Sequence, residues 1–259
     1  MNRIVAVAAA LGAAAALAGA GTTAAAPPLR GPTVTMCHAY ALRTVANSGG
    51  LRYMVRNDVF GAHDRECLTV RHLWSNFTVT SSTADSIDTQ AYPNIFYGCG
   101  WGICTPKTVL PERVRRAMSF RTTWQTRRNA GGRWNAAYDI WIARRNVEDG
   151  QDQGAEIMIW LGVRGFPAPW GRPVLRIGGY RWWYARHLAC NASGCWNYVL
   201  FRMVVPALGV RRLPLGPFFR VAERYRQVLP GWWLTSVDAG FEIWRGGRGL
   251  ATTGFRVIP

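Results

Sequence analysis

The sequence predicts an all-β protein, a sandwich or jelly roll with one helix laid over a sheet. Three observations point there. Short runs rich in aromatic and β-branched residues recur along the chain. Gly, Pro, Asn and Asp punctuate the gaps, as at Gly49-Gly50, Asp149-Gly150, Gly178-Gly179 and Gly246-Gly247. One segment alone carries helical spacing.

In chain order, the first element is not part of the fold. Met1, Asn2 and Arg3 precede a small-apolar run from Ile4 to Ala20, the order of a secretory signal peptide. The run is mostly Ala with interior Gly, whereas a membrane span needs about 20 strongly apolar residues. Residues 1–26 are therefore read as a signal peptide and 27–36 as a flexible leader; 37–259 form one domain of a secreted protein without stable membrane insertion. The strand segments are 51–55, 77–80, 137–142, 156–161, 180–184, 198–205, 233–237 and 241–244. Pro217 opens the helix, and Phe218, Val221, Ala222, Tyr225, Val228 and Leu229 keep its spacing until Pro230 and Gly231. Its arginines, Arg220, Arg224 and Arg226, face solvent.

Six cysteines fit an oxidising compartment. Cys99 and Cys104 lie close in sequence, as do Cys190 and Cys195, which leaves Cys37 and Cys67, although sequence alone allows about fifteen pairings. A zinc site is disfavoured, because the two-residue gap of a zinc knuckle is missing and His38, His63, His72 and His187 are dispersed. No metal and no cofactor are expected. The net charge of +17 comes from scattered arginines such as Arg43, Arg113 and Arg211, with Lys107 the only lysine, so a basic surface is expected without a specific nucleic-acid face. A Ser-His-Asp hydrolase is a poor fit without a G-x-S-x-G elbow.

Acidic residues are scarce, so those inside apolar strands are informative. In A-E-I-M-I-W-L, alternation sets Glu156, Met158 and Trp160 on one face and Ile157, Ile159 and Leu161 on the other. In G-F-E-I-W, Glu242 and Trp244 share a face opposite Phe241 and Ile243. Asp139, in A-A-Y-D-I-W-I, shares its face with Ala137 and Trp141. A strand carboxylate among bulky apolar residues costs desolvation unless it is hydrogen-bonded or functional. Two such carboxyls over an aromatic floor suit glycoside hydrolysis. The pattern alone leaves glycoside hydrolysis the minority reading against a carbohydrate-binding module or an unspecialised sandwich.

Several motifs then occur in order: Y-M-V-R-N-D-V-F-G from Tyr53, Y-P-N-I-F-Y-G-C-G-W-G-I-C from Tyr92, N-A-A-Y-D-I-W from Asn135, E-I-M-I-W from Glu156 and W-W-L-T-S-V-D-A-G-F-E-I-W from Trp232. In this the chain resembles glycoside hydrolase family 12, in particular its secreted endo-β-1,4-glucanases. The resemblance implies a β-jelly roll of two curved antiparallel sheets, a concave cleft for a β-glucan chain and one outer helix. It implies Glu156 as nucleophile, Glu242 as acid/base and Asp139 as the assistant of the nucleophile. It also implies disulfides Cys37–Cys67 and Cys99–Cys104.

Substrate contacts are expected from Asn57, Asp58, Phe60, Met158, Trp160, Trp170 and Trp244. The family usually has N-N-x-W-G where this chain has Asn57 to Gly61, so Phe60 offers a smaller stacking face and Asp58 replaces an amide. The Cys190–Cys195 segment is a second departure, a loop pin beside the cleft or a purely stabilising link. The expected protein is a monomer with no obligate protein partner. Xyloglucan or mixed-linkage specificity is the alternative within enzymes, and a non-catalytic wall-associated carbohydrate binder is the alternative outside them.

Overall fold

A computed structural model describes residues 32–46, 50–61, 64–71, 74–148, 153–167, 175–192 and 194–259. The signal segment, Trp170, His63 and His72 lie outside the described residues. The strands are β1 (Thr33–Met36), β2 (Ala41–Ala46), β3 (Arg52–Asn57), β4 (Cys67–Arg71), β5 (Phe77–Ser81), β6 (Asn94–Gly100), β7 (Ile103–Cys104), β8 (Glu112–Arg113) and β9 (Arg121–Arg128). They continue as β10 (Gly132–Ala143), β11 (Ala155–Arg164), β12 (Leu175–Ile177), β13 (Tyr180–Asn191), β14 (Gly194–Met203), β15 (Gly209–Pro214), β16 (Trp233–Gly240), β17 (Ile243–Gly246) and β18 (Leu250–Ile258). The helix α1 spans Gly216–Arg224.

Two sheets carry them. The smaller runs β1-β4-β5-β18-β9-β15; the larger runs β12-β13-β14-β11-β10-β16-β6-β3-β2, with β17, β7 and β8 paired onto β10, β6 and β16. The expected antiparallel architecture holds with one departure, the parallel pairing of β11 with β14. Parallel neighbours need a long crossover. Here the chain between them supplies β12 and β13, which close the edge of the larger sheet.

One core lies between the sheets. Trp124 of β9 is fully buried there, donates its indole N–H to Thr252 Oγ1 at 3.1 Å and meets the rings of Tyr138 and Phe241 at 5.1 and 5.8 Å. It thus ties the smaller sheet to β10 and to the residue before Glu242. Glycine permits two close approaches in the larger sheet. A Cβ at Gly98 would meet Thr235 O at 2.2 Å, and one at Gly240 would meet Pro93 O at 2.3 Å.

The helix is shorter than its apolar spacing predicts. It stops at Arg224 because Arg226 takes a left-handed φ of 56°, Arg226 N bonds Glu223 O, and Gln227 N bonds Ala222 O. That is the Schellman arrangement, made here without glycine. Phe218 packs against Trp182 and Phe201, so the helix covers β13 and β14, and its three arginines are exposed as expected. The expected strand at 241–244 is also broken, with Phe241 and Glu242 lying between β16 and β17.

All three disulfides form: Cys37–Cys67, Cys99–Cys104 and Cys190–Cys195. Replacing Trp124 by Ala removes a fully buried indole from between the sheets and is expected to lower unfolding free energy by about 3–5 kcal/mol in denaturant titration. A change under about 1 kcal/mol would contradict its placement as the link between sheets.

Candidate active site

Strand β10 separates core from site. Trp134, Ala136, Tyr138, Ile140 and Ile142 enter the intersheet core. Alternation then turns Asn135, Ala137, Asp139 and Trp141 to the outer face of the larger sheet. Strand β11 repeats the division, with Ile157, Ile159 and Leu161 inside and Glu156, Met158 and Trp160 outside, as the sequence predicts. A cleft of about 680 Å³ opens on this outer face, and its lining includes Glu156, Glu242 and Asp139.

Each glutamate is held by a neutral donor from a neighbouring strand. Trp196 of β14 donates its indole N–H to Glu156 Oε2 at 2.6 Å. Glu242 sits in the break between β16 and β17, where its backbone N–H donates to Asn135 Oδ1 at 3.1 Å and its carbonyl accepts from Asn135 N at 3.0 Å. The Asn135 side-chain amide also donates to Glu242 Oε2. Phe241 and Ile243, buried in the core on either side, fix the direction in which Glu242 points.

Asp139 accepts from the Trp141 indole at 3.0 Å. Trp141 stands between Trp101 and Trp196, at ring distances of 5.4 and 5.8 Å, so the three indoles form a row along the carboxyls. The arrangement provides two carboxyl groups capable of proton transfer or nucleophilic attack beside flat apolar faces.

The family model for glycosyl hydrolase family 12 matches residues 51–257. The chain belongs to this family. A metagenome-derived family 12 endoglucanase is 36% identical with a TM-score of 0.78, covering 88% of this chain and 98% of its own. Endoglucanase cel12A from Rhodothermus marinus is 38% identical with a TM-score of 0.76, covering 86% and 97%. A curated relative, the probable cellulase Cel12b of Mycobacterium tuberculosis, is 28% identical over 150 residues, which is 57% of this chain and 95% of the relative.

Within this family 12 chain the sequence-predicted site residues divide. Asp58, Phe60 and Met158 line the cleft together with Asp139 and both glutamates. Phe60 is 50% exposed and so presents an open ring. Asn57 is fully buried, its amide donating to the carbonyls of His38 and Glu66 at 3.0 and 3.1 Å, which makes it a support for the loop beneath Asp58 rather than a cleft residue. Trp160 and Trp244 stand on the outer face but pack on Phe166, at 5.5 and 4.8 Å, outside the lining.

Sequence reasoning missed other parts of the lining. Arg56 lies 4.8 Å from the Phe96 ring centroid and 5.4 Å from that of Trp101. Its signal was an arginine alternating with buried Tyr53, Val55 and Asn57 on one strand. Trp101, at 46% exposure, projects from the turn that the Cys99–Cys104 disulfide closes. Trp196 follows Cys195, and Asn191 follows Cys190, so the third disulfide closes a hairpin whose end borders the cleft.

Burial dominates the electrostatics. It pushes Glu156 up to about 8, opposed by the Trp196 hydrogen bond and reinforced by the charge of Glu242. It pushes Glu242 up to about 7, opposed by Asn135. Asp139 lies well above the usual carboxylate range through burial, then through repulsion by Glu156, Asp238 and Glu242. Asp58 rises to about 6 through burial, with Arg56 opposing.

These shifts make stability depend on pH. The folded chain holds protons on Glu156 and Glu242 that an unfolded chain releases near 4.5. The stabilisation is therefore complete below about pH 4.5 and is lost as pH rises through about 7 and 8. Thermal melts are expected to show a Tm that falls between pH 5 and pH 8, and a smaller fall in Glu242→Gln. A Tm that rises over this interval in the unsubstituted protein would contradict the burial of these groups.

Proposed function

We propose that this chain is a retaining endo-β-1,4-glucanase in which Glu156 is the nucleophile and Glu242 the general acid/base. Two carboxyls on the wall of one open cleft, each oriented by a neutral hydrogen-bond donor, are the observation that carries the reading. The relatives at 36% and 38% identity are named endoglucanases, and the curated relative is named a probable cellulase.

Glu242, protonated, gives its proton to the glycosidic oxygen while ionised Glu156 attacks the anomeric carbon. The bond to the leaving sugar breaks as the glycosyl-enzyme ester forms. Glu242, now ionised, takes a proton from water, and the resulting attack on the ester releases a β-configured sugar and regenerates Glu156. Burial holds Glu156 at about 8 and Glu242 at about 7, and each has a neutral donor that favours its anion, so the roles rest on the family pattern rather than on the order of proton affinity. Glu156 must lose its proton before it attacks, and the Trp196 N–H lowers the cost of that loss. Asn135 holds Glu242 toward the cleft in both of its protonation states, since its amide offers both donor and acceptor.

Asp58 and Phe60 hold the glucan at one end, with Met158 and Trp141 beneath it, and Trp170 adds a further sugar contact. Residues 1–26 act as a signal peptide and 37–259 as a monomeric catalytic domain acting outside the cell. Three disulfides support this location. Among the described residues, no helix is long and apolar enough to cross a membrane.

Glu156→Gln and Glu242→Gln are each expected to reduce hydrolysis of a soluble β-glucan by at least about 100-fold with the fold intact by circular dichroism. Full activity in either variant would sink the assignment. Trp196→Phe is expected to lower kcat/KM by about 10- to 100-fold, as loss of a hydrogen bond to a charged group. It should also move the acidic limb of the pH profile upward, because Glu156 then ionises less readily. An unchanged limb would separate Trp196 from the nucleophile.

A further inference from the structure

Asp238 of β16 has no role in the mechanism above, yet it stands beside its residues. It is directly opposite Asp139 in the antiparallel ladder of β10 and β16. Opposed residues in such a ladder share a face, with Cβ atoms about 4.5–5.5 Å apart. Asp238 is 3% exposed. The Oδ1 atom of Asp238 and the Oδ1 atom of Asp139 are both buried without a hydrogen-bond partner. Asp238 is buried and Asp139 half-buried, but each has a buried, unsatisfied oxygen; two such adjacent carboxylates are costly, and a single proton between them relieves both the repulsion and the missing bond.

The surroundings decide where the charge of such a pair rests. On the Asp238 side, burial disfavours the anion most, Arg56 of β3 and the Ser236 hydroxyl favour it, and the charge of Asp58 disfavours it. On the Asp139 side, Glu156 of β11 and Glu242 between β16 and β17 oppose ionisation, while the Trp141 indole N–H favours it. Tyr92, ahead of β6, donates its hydroxyl to Ala137 O at 3.0 Å, and Tyr198 of β14 lies opposite Glu156. Neither tyrosine supplies a charge at neutral pH, since burial and the neighbouring carboxylates hold both phenols protonated.

We propose that Asp238 is a positioning residue that shares one proton with Asp139 across the β10–β16 ladder. The negative charge of the pair stays toward Arg56, and Asp139 remains neutral beside Glu156. Glu156 is then the group that ionises on that side of the cleft, as a nucleophile must. The catalytic consequence rests on the reading of Glu156 as nucleophile; the shared proton itself does not.

Difference infrared spectra in the C=O region of neutral carboxylic acids, taken near pH 8 without substrate, above the value of about 7 to which burial raises Asp238, test the proton directly. Asp238→Asn and Asp139→Asn are each expected to lose one neutral-acid band, and the double variant to lose no more than either single one. Loss of two bands in the double variant, or of none in the singles, overturns the proposal. Should a variant fail to fold, carbon NMR of aspartate carboxyls in the unsubstituted protein serves instead. It is expected to show two carboxyls titrating in linked steps, with one proton retained to neutral pH. Ionisation of every aspartate by about pH 5 overturns it.

In kinetics, Asp238→Asn places the charge on Asp139 and is expected to raise the acidic limb of kcat/KM by about one pH unit. In the Asp139→Asn background the same substitution is expected to shift nothing further. Equal shifts in both backgrounds, or none in either, contradict action through Asp139. If the protein cleaves no β-glucan while the infrared result stands, the catalytic reading fails and the shared proton survives.

Discussion

Everything in the site depends on the two-residue period of β10. One face of that strand carries Trp134, Ala136, Tyr138, Ile140 and Ile142 into the intersheet core. The other face carries Asn135, Asp139 and Trp141, which orient or neighbour the two glutamates. A slip of one residue would exchange the faces and bury the polar set in the core. The cost of that exchange fixes the register, and the register places the carboxyls. Tyr138 and Phe241 meet Trp124 from the smaller sheet, so core packing and site geometry share the same anchors.

The outer face then concentrates carboxyl groups that are buried or half-buried in the cleft. Glu156, Glu242, Asp139 and Asp238 all have raised proton affinity, with burial as the first cause in each. The indoles that desolvate them also supply their hydrogen bonds, Trp196 to Glu156 and Trp141 to Asp139. This combination suits acid/base work near neutral pH and makes the same groups a burden on stability when they ionise.

Much of this was legible in the sequence, and the failures have physical reasons. Alternation in A-E-I-M-I-W-L located the face of Glu156 because the opposite residues are uniformly apolar. It gave faces but not positions along a sheet: Trp160 and Trp244 lie on the outer face as expected, and both pack on Phe166. Strand β9 was missed because its buried Thr122, Trp124 and Thr126 alternate with polar residues in a segment that reads as hydrophilic. The helix was read too long because Arg226 adopts the left-handed turn without the glycine that marks such an end. Asp238 drew no notice in S-V-D-A-G, since its significance lies in Asp139 across the ladder, a pairing that only the fold defines.

Trapping the covalent intermediate is the most direct measurement of the central claim, that Glu156 attacks the sugar. A fluorinated cellobioside with a good leaving group slows breakdown of the glycosyl-enzyme, and peptide mass spectrometry then locates the adduct. The account predicts one glycosyl group per chain, on the peptide containing Glu156. An adduct on Glu242, Asp139 or Asp238, or turnover of the substrate with no adduct at all, would contradict it.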